Sequence, residues 1–148
     1  MVFNEICSRS GDEYLELYNA GAAARDLTGY GVTDSLPDGG PYASRAVIFP
    51  ATTTLAPGGF LLVMLGRATA GPTTGCGDAG ATSCFGTTFN VSNMNGETVW
   101  LLDPTGAVDV STAYPINGHA SGRSYGRVPD GTGPFMDTRR TPGVMNAP

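Results

Sequence analysis

The sequence predicts an all-β fold, an antiparallel sandwich or small barrel of roughly eight or nine short strands. Three observations carry this. Gly and Pro number 22 and 11 of 148 residues, spread evenly, and the longest stretch free of both, Met1–Ser10, is ten residues. An average helix runs about 11–12 residues, and an interior Gly or Pro costs it about 1 or 3 kcal/mol, so no window holds an ordinary helix. Turn signals recur roughly every 8–12 residues. Between them, apolar and polar residues alternate with a period of two, the repeat of a strand with one buried face.

Val2–Cys7 is the first extended segment. In Glu13–Asn19, Leu15 and Leu17 alternate with Tyr14, Glu16 and Tyr18, which places the leucines on one face and a Tyr-Glu-Tyr row on the other. Asn19-Ala20-Gly21 turns the chain. Leu27–Thr33 is a weaker strand interrupted by Gly29 and Gly31, residues 34–41 read as loop, and Arg45–Phe49 is a short strand stopped by Pro50. Pro57-Gly58 has the residues of a type II turn: Pro presets φ and Gly takes the positive φ. The unbroken apolar run Phe60–Leu65 is too short for a helix and reads as a strand buried on both faces. Arg67–Gly86 is a long Gly/Thr/Ala loop carrying Cys76 and Cys84.

Thr88–Ser92 reads as extended, with Asn95-Gly96 a type I′ hairpin signal before the strand Glu97–Asp103. Asp103-Pro104-Thr105-Gly106 fits a type I turn at three positions. Val108–Tyr114 alternates cleanly, Gly122–Val128 is the last strand, and Val128-Pro129-Asp130-Gly131 opens a turn-rich tail that runs to Pro148. Residues 1–148 read as a single domain, without linker or repeat.

Several of these segments, in this order, resemble the lamin tail domain family. The motifs are Phe3-Asn4-Glu5-Ile6, EYLELYN (Glu13–Asn19), DLTGY (Asp26–Tyr30), FPATTTLAPGGFLLV (Phe49–Val63), FNVSNMNGETVWLLDPTGAVDVSTAY (Phe89–Tyr114) and the closing stretch from Gly122 to Asn146. Residues 34–44 and 67–86 depart from the pattern. The resemblance implies an immunoglobulin-like antiparallel β-sandwich without catalytic activity. It also implies a module of the bacterial type, an accessory of exported or surface proteins that include nucleases and phosphatases. The chain has no coiled-coil heptads.

The residue inventory argues the same way about chemistry. A Ser-His-Asp or Cys-His arrangement would have to use His119, the one histidine, and no G-x-S-x-G elbow supports it. His119 is expected in an exposed loop. Three cysteines and one distant histidine lack the paired spacing of a zinc site. Asp34, Asp38, Asp103 and Asp109 lack a D-x-D-x-D-G run and are expected to bond their own turns. No cofactor or metal is expected.

All eight basic residues are Arg, and the net charge of −5 gives no general field for nucleic acid. Half of the arginines (Arg123, Arg127, Arg139 and Arg140) lie in the last 26 residues, with Tyr125 between two of them. Arg beside an aromatic ring can hold a phosphate and stack a base. The plainer expectation pairs Arg127 with Asp130 across the turn. For Tyr14, Glu16 and Tyr18 the alternatives are a partner-binding surface, a solvated outer face, or Glu16 facing an Arg of a neighbouring strand.

Cys76 and Cys84 are expected to form a disulfide that staples residues 67–86, which places the protein in an oxidising space: extracellular, periplasmic or at the cell surface. Cys7 is expected as a small buried hydrophobe. Residues 1–5 lack a secretory signal's basic and apolar regions, and no apolar run approaches the roughly 18 residues of a membrane span. The expected partner is a protein or cell-surface component, with nucleic acid the alternative. Gly- and Pro-flanked strands are expected to blunt the sheet edges and keep the chain monomeric.

Overall fold

The computed structural model describes residues 1–9, 11–74, 76 and 84–148. The strands over Tyr14–Tyr18 and Val108–Tyr114 follow from the alternation of their residues, and the one over Phe60–Met64 from an unbroken apolar run. β1 (Val2–Cys7), β2 (Tyr14–Tyr18) and β7 (Phe60–Met64) lie side by side at the centre of a seven-stranded sheet, ordered β13-β12-β1-β2-β7-β9-β8. Its other members are β8 (Gly71–Thr73), β9 (Cys84–Gly86), β12 (Arg123–Arg127) and β13 (Phe135–Arg139). The facing sheet runs β11-β10-β4-β5, from β4 (Gly31–Thr33), β5 (Val47–Ile48), β10 (Glu97–Leu102) and β11 (Val108–Tyr114). β3 (Arg25–Asp26) and β6 (Thr54–Leu55) form a small separate pair. Among the described residues the only helical turn is Ala43–Arg45, a 3-10 turn.

Leu15, Leu17, Leu61 and Val63 of the large sheet meet Val32, Val99 and Leu101 of the small one, and these residues are at most 6% exposed. That core confirms the all-β immunoglobulin-like sandwich. β7 is buried on both faces: Leu62 and Met64 join a second cluster with Cys7, Tyr14, Cys76 and Cys84 on the far side of the sheet.

Of the thirteen strands among the described residues, six have three residues or fewer; β4 and β5 fall inside the expected strands Leu27–Thr33 and Arg45–Phe49, while β3, β6, β8 and β9 are too short for alternation to reveal them. β8 and β9 lie inside the expected loop 67–86, and β9 pairs with β7 in parallel, an exception to the antiparallel pattern. β13 lies inside the expected tail, pairing with β12 from Arg123↔Arg139 to Arg127↔Phe135. The expected strand over Thr88–Ser92 is absent. Phe89 and Val91 are buried, but as irregular chain, with Gly66 N–H donating to Phe89 O (2.8 Å).

The type I′ hairpin at Asn95-Gly96 is therefore corrected. Gly96 has φ +68°, while Asn95 is absent from the positive-φ residues that a type I′ turn needs at both centres. β10 pairs with β4 and β11 instead. Gly96 serves close approach: a Cβ there would lie 2.9 Å from the Tyr114 carbonyl oxygen. The other two turns form as expected. Gly58 has φ +70° with Gly59 N–H donating to Ala56 O (2.9 Å). Gly106 N–H donates to Asp103 O at 2.9 Å, and the Asp103 carboxylate accepts from the Thr105 and Ala107 N–H groups.

Candidate functional site

The outer face of β1 and β2 is closed by the tail. In antiparallel register Glu5 stands directly opposite Glu16, and the register shifts between Phe3 and Glu5, so Asn4 is the extra residue of a β-bulge. The bulge turns Phe3 and Ile6 into the core and lets Asn4 and Glu5 both serve the outer side. Both glutamates and Asn4 are fully buried.

Glu16 accepts from Asn4 Nδ2 (3.0 Å) and from Gly143 N–H (2.7 Å). Glu5 accepts from Thr141 N–H (3.0 Å). Thr141 Oγ1 is within donating distance of Asn146 Oδ1 (2.8 Å) and of Glu5 Oε2 (3.3 Å). The one hydroxyl proton serves either acceptor, Asn146 Oδ1 or Glu5 Oε2. Asn146 Nδ2 donates to the carbonyls of Asn4 and Arg127 (3.1 and 3.0 Å).

Burial pushes the Glu16 carboxyl up to about 8, partly offset by the Asn4 and Gly143 donors, with Glu5 and Asp130 adding repulsion. Burial also raises Glu5. The Tyr14 hydroxyl is raised by burial and by Glu5 beside it.

Two sequence expectations are corrected here. Tyr14 and Glu16 are neither a solvated face nor an exposed binding surface: Tyr14 is 1% exposed and Glu16 0%. Glu16 faces Asn4 and the tail backbone rather than an arginine. Tyr18 is half-buried, its ring tilted 40° against Phe60 with centroids 5.0 Å apart, and it lies where a Cβ on Gly131 would strike its ring. Alternation alone cannot show which outer face a distant segment will cover. Asn4, Glu5, Thr141 and Asn146 were not singled out from the sequence; the one signal was the polar pair Asn4-Glu5 inside an otherwise apolar first strand.

Arg127 does not pair with Asp130. Asp130 Oδ1 accepts from Asn4 Nδ2 (2.7 Å) and Asn146 N–H (3.2 Å). Arg127 turns to the opposite side of β12, donating to the Phe3 and Gly133 carbonyls (3.0 and 2.8 Å) and lying 4.3 Å over the Phe135 ring. Residues facing each other across a register share a face. Arg123, Tyr125 and Arg127 therefore line one face with Phe135, Asp137 and Arg139 of β13. Tyr125 stacks on Phe135 (4.8 Å, 12°) and meets Tyr114 of β11 edge-on (5.7 Å), while Arg123 pairs with Asp137. All three candidate residues of β12 are half-buried. Arg140 is elsewhere, donating to Asp12 O.

Cys76 and Cys84 are joined by a disulfide, with Cα atoms 5.8 Å apart, and Cys7 is buried; the residues enclosed by that link, 77–83, lie outside the described residues. His119 corrects another expectation: it is 2% exposed. Its Nδ1–H donates to Ala120 O (2.8 Å) and its Nε2 accepts from Ser8 N–H (3.1 Å), so the backbone engages both nitrogens. Burial lowers its pKa.

Asp103 bonds its own turn as expected. Asp34 instead is buried against Arg45 (3.1 Å), and Asp109 pairs with Arg25 (3.0 Å). Among the described residues no group of three His, Cys, Asp or Glu is placed to hold a metal. Among the described residues, one open cleft of about 840 Å³ is lined by Asp34, Tyr42, Arg45 and Ile116, and another of about 760 Å³ by Arg9, Arg67 and Asn93.

An all-β sandwich whose buried polar groups tie its own strands and tail together defines a module of the immunoglobulin-like class. The sequence matches the Lamin Tail Domain over residues 1–116, and the chain belongs to that family, a non-catalytic domain family. Comparison with curated proteins and with solved structures returned no match. β12 and β13 lie beyond the matched residues, yet β12 pairs with β1 through Glu5↔Gly126 and Ile6↔Tyr125.

Proposed function

We propose that this chain is a non-catalytic binding and positioning module of an exported or cell-surface bacterial protein, and that its partner is a protein or surface component. The observation that carries the reading is the face shared by β12 and β13, where Arg127 lies over Phe135 and Tyr125 stacks beside it, half-buried rather than sealed. Aromatic rings and Arg are the residues enriched at protein interfaces. The Cys76–Cys84 disulfide supports an oxidising location. No helix among the described residues is long and apolar enough to cross a membrane.

The same pairing of Arg with aromatic rings supports the second reading, an accessory that binds nucleic acid for an extracellular nuclease or phosphatase. The net charge of −5 weighs against it. Titration of the labelled chain onto intact bacterial cells and onto DNA, each over a range of salt, separates the two. Saturable cell binding with weak salt dependence supports the first reading. DNA binding that falls steeply with salt, without cell binding, replaces it with the second. A hydrolase assay against the His119→Ala variant tests for catalysis: turnover that disappears with the imidazole would refute a non-catalytic module.

A further inference from the structure

We propose that the free edge of β11, together with the Arg-and-aromatic shelf beside it, takes an extended acidic segment of a partner protein by strand addition. The inference rests on the binding-module reading and names its partner class.

Sheet edges in proteins are usually blunted, and three of the four edges of this sandwich are. β5 has only two residues, β8 carries Pro72, and at β13 the Arg139 N–H is bonded to Ala147 O (3.0 Å). β11 is different. It runs seven residues without Gly or Pro and ends its sheet. Among the described residues its backbone bonds only to β10. Its start is bulged at Asp109, whose carboxylate pairs with Arg25 (3.0 Å); past the bulge the solvent face offers only the small side chains of Ser111 and Ala113, so Val110–Tyr114 is the open part of the edge. In an antiparallel strand every second residue turns its N–H and C=O outward.

The large sheet continues past this edge. Tyr114 of β11 meets Tyr125 of β12, and β13 lies one strand further out. A strand added to β11, about 4.8 Å beyond it, would rest on the face formed by Arg123, Tyr125, Arg127, Phe135, Asp137 and Arg139. Three arginines against one aspartate make that shelf positive on a chain of net charge −5. Arg127 donates to two backbone carbonyls and lies over the Phe135 ring, with no carboxylate paired to it among the described residues, and Arg139 is exposed. Charge complementarity selects a strand with acidic side chains toward the shelf and apolar ones over Tyr125 and Phe135. A second copy of the chain is less suited, since its β11 presents Val, Thr and Tyr on the shelf-facing side and the whole copy carries the same net charge.

The test uses the full chain and three blocked heptapeptides: one alternating Val and Glu, one alternating Val and Lys, and the Val/Glu peptide N-methylated at alternate residues. Amide exchange is followed residue by residue. The proposal expects the Val/Glu peptide to slow exchange at alternate β11 amides at least tenfold. It expects the Val/Lys peptide to bind at least tenfold more weakly and the N-methylated one not at all. Arg139→Glu should weaken Val/Glu binding about tenfold with an unchanged thermal midpoint.

Absence of β11 protection at saturating Val/Glu peptide overturns the proposal. So does β11 protection that grows with protein concentration alone, which would make a second copy the occupant, or single-stranded DNA perturbing the shelf where the peptide does not. A chain that binds cells but ignores the peptide loses strand addition only. A chain that protects β11 with the peptide but fails to bind cells keeps strand addition and loses the surface partner.

Discussion

Glu16 makes the stability of this fold depend on pH in a window where few groups titrate. Its carboxyl is raised by burial from an ordinary 4.5 to about 8, so the folded chain holds a proton there that the unfolded chain releases. Stability contributed by a raised carboxyl is present below the unfolded pKa and lost as pH climbs through the folded one. The groups with lowered pKa values act outside the upper half of this window. Burial lowers His119 from 6.5, so it favours the fold as pH rises, but only up to about the unfolded value of 6.5. Asp103 and Asp137 are lowered from 3.8 by hydrogen bonds from Thr105 and Arg123 and act only in acid.

Between pH 6.5 and 8 the slope is therefore set foremost by Glu16, with Glu5, Glu13 and Asp34, also raised by burial, acting in the same direction. At about 1.4 kcal/mol per proton per pH unit, flattening toward pH 8, stability should fall by ~1.5–2 kcal/mol across that interval. Urea unfolding followed by Trp100 fluorescence, with the disulfide intact, measures it. Glu16→Gln should flatten the profile. The amide cannot accept from both Asn4 and Gly143, so the variant should also lose ~1–3 kcal/mol at pH 6.5. Wild-type stability that is level or rising from pH 6.5 to 8 would refute the assignment of a buried, protonated Glu16.

Three further outcomes are expected. Replacing Cys76 and Cys84 together with Ser should cost about 2–3 kcal/mol, the loop entropy of a link eight residues apart in sequence; mass after alkylation of unfolded, unreduced protein should show one labelled thiol, and three would rule the link out. His119→Ala should destabilise by ~2–3 kcal/mol in urea, because Ser8 N–H loses its acceptor and the ring leaves Tyr114. Asn146→Ala should cost ~2–4 kcal/mol, since one side chain ties Asn4, Arg127 and Thr141 together; a change under 0.5 kcal/mol would mean that the tail is not a working part of the fold.

The alternation of Leu15 and Leu17, the apolar run at β7 and the turn at Asp103–Gly106 were enough to determine the fold class, because each is local chemistry with a period or a φ requirement of its own. The disulfide followed from two cysteines close in sequence. The short strands β8 and β9 escaped because two or three residues show no period, and β13 escaped because its residues alternate little and sit among turn signals.

What only the tertiary structure decided is where the polar residues go. Glu16 belongs to the outer face of β2 on any reading, but whether that face meets water depended on a tail more than a hundred residues away, held by Thr141, Gly143 and Asn146. Arg127 looked paired with Asp130 by proximity in sequence, yet in β12 it points to the opposite side, onto Phe135. Local sequence sets backbone conformation through short-range sterics, whereas burial and charge pairing depend on which distant segments meet, and only the folded chain brings those together.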